Sequence, residues 1–315
     1  MSGRGKAACV GMCVLDVLVK GLGKIPQKGQ TAFVDTVTMS SGGDAANQAV
    51  VLAALGHEAA LLTLLGSDGA GKYLSTALKE KGVNTEKISF RADVDTSTSV
   101  VLIDENGERS FLSFQTGSVD RFGRRDINLR AISEDTEVVS VGSLFCSPEF
   151  DRAGVLPVLL RAKEMQAVTV ADFVPNRKEA SLEELAEVLS LLDYAIPSYE
   201  EAKLFTGKEI PAEMADVFLS YGVGTVIIKL GADGVYAKNK DEEWTVPAFH
   251  VKAMDTTGAG DNFVAGFICG ILEKQSLEAC LRTGCAAAAI SIGSLGACTG
   301  VTSREQVQCF LEENQ

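Results

Sequence analysis

The sequence predicts an α/β protein built on a doubly wound, mostly parallel sheet, and three observations carry that reading. An apolar run, AACVGMCVL, opens the chain as a buried strand. Beyond Asp126, strand-like and helix-like periodicities alternate, the signature of parallel strands joined by helices. Near the end, DTTGAGD (Asp255 to Asp261) stands directly before NFVAGFICGIL, whose apolar residues recur at helical spacing.

Taken in order, Asp16 is expected to end the first strand, where open α/β sheets bind ligands and where a carboxylate can accept hydrogen bonds from hydroxyls. A plain turn aspartate is the competing reading. From Val17 to Ser40 glycines and Pro26 break the pattern, and TAFVDTVTM alternates like an exposed strand pair outside the main sheet. Gly42 and Gly43 then lead into a helix, with Asn47 one turn inside it. An amide there offers donor and acceptor to a polyhydroxylated ligand, although alone it reads equally as a polar face.

EAALLTLLG reads as a strand and GSDGAGKYLSTALKEKG as a helix. Gly66, Gly71 and Lys72 have the spacing of a phosphate-binding Walker loop, but Tyr73 replaces its magnesium-binding hydroxyl and Asp68 lies inside the cradle. That site is rejected, and Lys72 is placed on a helix surface. Thr96 to Asp104 and Glu108 to Phe114 form a hairpin about Asn106 and Gly107, able to pair with the earlier excursion as a β lid. Arg109 could reach a ligand from it or merely protect an edge strand.

Next come strand TEVVSVGSL, a helix near 153–166, strand AVTVADF, a helix near 182–191, and DYAIP. SYEEAKLFTG, another short helix, the strand GVGTVIIKLG and the glycine-turned GADGVYAKN complete the alternation. Glu200 and Glu201 are either magnesium ligands through water or exposed helix glutamates.

The small residues Gly258, Ala259 and Gly260 at a helix start leave backbone N–H groups free and accessible, an anion hole favoured by the helix dipole. Asp261 sits where an arriving phosphate would be, placed to take a proton from an attacking hydroxyl. Four alanines at 286–289 allow close packing against a helix or a flat ring.

Composition narrows the partners. The chain has 315 residues, 46% hydrophobic and 23% charged, with no apolar run near the roughly 20 residues that span a bilayer. With 29 basic against 42 acidic residues the net charge is −13, which argues against nucleic acid as a partner. Arg121, Arg124, Arg125 and Arg130 are interleaved with Asp120 and Asp126 and read as a solvated face. Eight cysteines without CxxC spacing, several in apolar runs, fit free thiols in a reducing cytoplasm. His57 and His250 are expected to be structural.

Together, GGDAAN and DTTGAGD resemble the two signatures of the ribokinase, or PfkB, family of carbohydrate kinases, and the resemblance spans essentially the whole chain. Gly11 to Asp16 matches its G-x-x-x-x-D motif. Its N-x-x-E magnesium motif reads Ser198-Tyr199-Glu200-Glu201 here, with Ser198 in the Asn position.

The resemblance implies a single domain, 1–315, with a three-layer α/β/α core. It also implies a discontinuous β lid from about 17–40 and 96–115, often used as a homodimer clasp. It implies ATP-dependent phosphorylation of a hydroxymethyl group on a small sugar, with a nucleoside kinase or a catalytically weak sensor as alternatives. By the same resemblance Asp261 is the base and Gly258, Ala259 and Gly260 the anion hole. Asp16, Gly42, Gly43 and Asn47 contact the sugar, with Arg109 from the lid. Lys229, Gly231, Gly234, Cys285, Ala288 and Gly296 face the nucleotide. Glu201 holds Mg2+ through water, and Asp255 and Thr257 lie at a monovalent cation (K+) site found in family members.

Overall fold

A computed structural model of the chain describes residues 5–104, 109–114, 116–174 and 181–314. Its strands are β1 (Lys6–Gly11), β2 (Val14–Lys20), β3 (Thr36–Gly42), β4 (Glu58–Leu62), β5 (Leu64–Gly66), β6 (Ser89–Arg91), β7 (Thr98–Ile103) and β8 (Arg109–Ser113), followed by β9 (Val138–Leu144), β10 (Val168–Phe173), β11 (Tyr194–Ile196), β12 (Thr225–Lys229), β13 (Val235–Asn239) and β14 (Glu243–Val246). Its helices are α1 (Asp44–Ala54), α2 (Gly69–Glu80), α3 (Ser118–Arg121), α4 (Val155–Glu164), α5 (Ala186–Leu189), α6 (Tyr199–Thr206), α7 (Pro211–Ser220), α8 (Ala259–Leu272), α9 (Leu277–Ile292) and α10 (Arg304–Glu313).

The main sheet runs β14-β13-β12-β11-β10-β9-β1-β4, parallel from β12 to β4 with an antiparallel edge of β13 and β14. Its central parallel strands are buried on both faces, so they read as continuous apolar runs. In β1, Ala7 and Cys9 face one core with α1, α8 and α9, while Ala8 and Val10 face the other with α4 and α7. That alternation makes three layers.

A second sheet, β3-β2-β7-β8, comes from residues 14–42 and 98–113. The turn expected about Asn106 and Gly107 lies outside the described residues.

Several expectations are corrected. The opening run is two strands, because the chain turns at Gly11, where φ is 142° and an added Cβ would meet the Gly142 carbonyl oxygen. Asp16 therefore lies inside β2, paired across to Ser40 and Ser99, and does not end the first strand. EAALLTLLG divides at Thr63 into β4 and β5, which belong to different sheets. TAFVD adds no strand before β3. The helix expected near 182–191 is a 3-10 turn, Glu183–Leu185, followed by the four-residue α5. β14 has no counterpart among the expected elements.

Asp68, inside the rejected phosphate loop, accepts hydrogen bonds from Gly71 N at 2.7 Å and Thr96 N at 2.8 Å, so it caps α2 and leaves Lys72 exposed. All eight cysteines are free thiols, and Cys9, Cys13, Cys269, Cys280 and Cys285 are buried.

Candidate active site

α8 starts at Gly258, whose φ of 73° is left-handed and whose added Cβ would lie 2.7 Å from Ala297 Cβ, so only glycine fits. Ala259 N–H donates to Thr256 O at 3.2 Å, while the N–H groups of Gly258, Gly260 and Asp261 meet no acceptor among the described residues. Three donors at the positive end of a 14-residue helix therefore remain for an anion.

Asp261 is buried at the third position of α8 and accepts a hydrogen bond from Asn47 Nδ2 at 2.6 Å. Cys298 Sγ in turn donates to Asn47 Oδ1 at 2.9 Å. Asn47 is placed by α1, which begins after Gly43, where φ is 93° and an added Cβ would come within 2.6 Å of Met12 O. Gly42 lies directly under the Asp16 carboxylate, whose Oδ2 occupies the place a side chain would take. Thus Asp16, Gly42, Gly43, Asn47 and Asp261 converge at the carboxyl ends of the parallel strands, where open α/β sheets bind ligands.

Carboxylate oxygens of Asp44, Asp172 and Asp261 lie within 4.8 Å of one another. Burial, then Asp44 and Asp172, push Asp261 well above the usual carboxylate range. Asp44 is pushed up to about 7 by burial and by Asp172, against a 2.6 Å hydrogen bond from Ser143 Oγ. Lys229 answers this charge with its ammonium, 2.6 Å from Asp172 Oδ1. Burial works against that ammonium, but Asp172 and Glu201 outweigh it and hold its pKa above the ordinary value.

Of the two adjacent glutamates, Glu200 is exposed and Glu201 turns inward. Glu201 Oε2 accepts from Ser198 N at 2.7 Å and Glu201 N–H donates to Ser198 Oγ at 3.3 Å, a reciprocal cap on α6. Its carboxylate, partly buried beside that cap, suits a water of a metal shell. Asp255 accepts from Thr257 N at 2.9 Å and Gly296 N at 2.8 Å, tying the approach to α8 to the loop after α9.

Beyond the anion hole a largely apolar cleft of about 380 Å³ is lined by Lys229, Gly231, Gly234, Phe263, Cys285 and Ala288, among others. Gly296 is not among its lining residues. His250, expected to be structural, is. Arg109 begins β8 opposite Ile103, but its side chain lies outside the described residues. A separate grouping of His57, Cys269 and Glu273 lies at the far end of α8, where Arg304 pairs with Glu273.

Sequence reasoning missed three features. Asp172 closes a strand that was foreseen, and the carboxyl-end rule would have flagged it. The S-x-x-E pattern of Ser198 and Glu201 is a capping box written in the sequence. Cys298 carried no sequence signal.

Free amides at a helix start, a buried carboxylate beside them and an adjoining apolar cleft are the parts that a nucleotide-dependent phosphotransferase needs. The pfkB family of carbohydrate kinases is matched over residues 4–304, and the chain belongs to that family. A ribokinase of Haemophilus influenzae is 30% identical over 90% of this chain and 91% of its own. Fructokinase-2 of Solanum lycopersicum is 29% identical over 86% and 87%. The crystal structure of ribokinase from Thermotoga maritima superposes with a TM-score of 0.84 at 28% identity, covering 98% of this chain and 99% of that one. The chain is an ATP-dependent sugar kinase with a ribokinase-like fold.

Proposed function

We propose that the enzyme moves the terminal phosphoryl group of ATP to a hydroxymethyl group of a small sugar, with Asp261 taking the hydroxyl proton. The observation that carries this reading is the position of Asp261. It is buried, bonded to Asn47, and one residue along from amides that have no partner of their own. The free N–H groups of Gly258, Gly260 and Asp261 bind the phosphoryl oxygens. Asp16, Gly42, Gly43 and Asn47 hold the sugar, and Arg109 of β8 completes the proposed set. Lys229, Gly231, Gly234, Cys285 and Ala288 border the nucleotide, and Gly296 acts through Asp255.

Glu201 would hold Mg2+ through water, and the ion would supply positive charge for the phosphates. Ser198 caps α6 and keeps Glu201 in place, as an Asn would, so the substitution gives no reason to read the chain as a sensor. For K+, the Asp255 and Thr257 loop is the site, with Asp255 orienting backbone groups through its two accepted amides.

The domain is one unit, with the second sheet closing over the sugar to exclude water. Val37, Met39 and Leu112 share one face of that sheet and are more than half exposed, an apolar patch that supports a homodimer joined there. No helix among the described residues is long and apolar enough to cross a membrane, and the free thiols support a cytoplasmic enzyme.

The test is ADP release over ketoses, aldoses, sugar acids and nucleosides. At least one neutral pentose or hexose raises ADP above the ATP-only rate. A response to nucleosides alone supports the nucleoside alternative, and no response to any acceptor overturns the assignment.

A further inference from the structure

Lys229 ends β12, and its backbone is fixed by a 2.9 Å hydrogen bond to Pro197 O beside α6. Its side chain runs to the start of α8, where a Cβ placed on Gly260 would lie 3.3 Å from Lys229 Nζ. The ammonium therefore lies against the backbone that offers the free N–H groups. Asp172 aims it: Oδ1 accepts from Lys229 Nζ at 2.6 Å and from Phe173 N at 2.9 Å, and the two side chains are 15% and 4% exposed. Facing the pair are Asp44 from α1, Glu201 from α6, Asp261 from α8 and the Cys298 thiol beside Asp261. Lys229 is the one cation that these carboxylates share among the described residues.

That surplus of negative charge creates a problem for any phosphotransferase. A polyanionic phosphoryl group must approach within reach of three or four carboxylates, and backbone amides carry only partial charges. A fixed ammonium at the same spot offsets it, in addition to the Mg2+ that Glu201 would hold.

We propose that Lys229 and Asp172 form a charge clamp for the phosphoryl group in transit, Lys229 touching its oxygens as a catalytic residue and Asp172 acting as a positioning residue for the ammonium. The proposal rests on the kinase reading of the site. As the sugar oxygen bonds to phosphorus, the bond from phosphorus to the ADP oxygen breaks, ADP leaves with that electron pair, and the hydroxyl proton passes to Asp261. Lys229 stays protonated throughout and neutralises charge on the non-bridging oxygens.

The test separates ATP from ADP. Mg-ATP and Mg-ADP are titrated against the wild-type protein and the Lys229→Met, Lys229→Arg and Asp172→Asn variants, with thermal melting as the check on folding. Losing a hydrogen bond to a charged group typically weakens binding about tenfold to a hundredfold, so Lys229→Met loses that much affinity for Mg-ATP while Mg-ADP binding changes little. Lys229→Arg retains most of the ATP preference, and Asp172→Asn loses part of it. Equal loss for both nucleotides, or no loss in a folded Lys229→Met protein, overturns the clamp. Failure of the kinase reading would show separately, as no ADP release by the wild-type enzyme with any acceptor.

Discussion

Asn47 donates from Nδ2 to Asp261 Oδ2 at 2.6 Å, joining helices that begin more than 200 residues apart. The contact lowers the pKa of a carboxyl group that burial, Asp44 and Asp172 drive upward. A general base works only when ionised, so kcat/KM falls as pH drops through this raised pKa. Asn47→Ala removes the stabilising donor and moves the acid limb of the pH profile to higher pH. An unmoved limb contradicts the pairing.

The same strain affects stability. A carboxyl group whose folded pKa lies above its unfolded value holds its proton longer in the native state. Stability therefore falls as pH rises from the unfolded value through the folded one. Asp261→Asn removes that penalty and raises Tm at pH 8, by roughly 2–4 °C for each kcal/mol recovered, with a smaller gain at pH 4. Equal gains at both pH values are inconsistent with this origin.

Cys298 fixes which way the Asn47 amide points. Burial pushes its thiol up to about 12, so at neutral pH it is an S–H donor to Asn47 Oδ1. Cys298→Ala frees the amide to turn, and a hydrogen bond of about 1 kcal/mol translates into a kcat lower by roughly fivefold. Cys298→Ser preserves the donor and most of the rate. Steady-state kinetics of the two variants decide the matter.

Gly258 and Gly207 both have left-handed φ, 73° and 66°, but an added Cβ meets Ala297 at the first and open space at the second. Gly207→Ala costs about 1 kcal/mol. Gly258→Ala costs more and also displaces the anion hole. Urea unfolding and kcat, measured on both, check that only Gly258→Ala impairs turnover.

Ser198→Ala breaks the cap on α6, costing about 1 kcal/mol, and loosens Glu201. The Mg2+ concentration for half-maximal activity rises, whereas Ser198→Asn, which can also cap, restores it. A magnesium titration reads the difference.

Much of this was legible from local patterns. α8 and its glycine turn were written in DTTGAGD and the helical spacing after it, since a helix start needs only a few consecutive residues. The strands flanking α4 were equally plain, because sheets covered on both faces need continuous apolar runs. Asp16 was misplaced since the break at Gly11 depends on the Gly142 carbonyl, a contact 131 residues away in sequence. The Lys229–Asp172 and Cys298–Asn47 pairs join distant segments, and no periodicity within either segment announces them.

The central claim is that Asp261 is the base, and its direct test is kcat of Asp261→Asn with the best acceptor from the ADP-release screen. General-base catalysis contributes about 10²–10⁴-fold, so kcat falls by at least that order while Mg-ATP still binds and the protein melts cooperatively. A kcat equal to that of the wild-type enzyme would contradict the account.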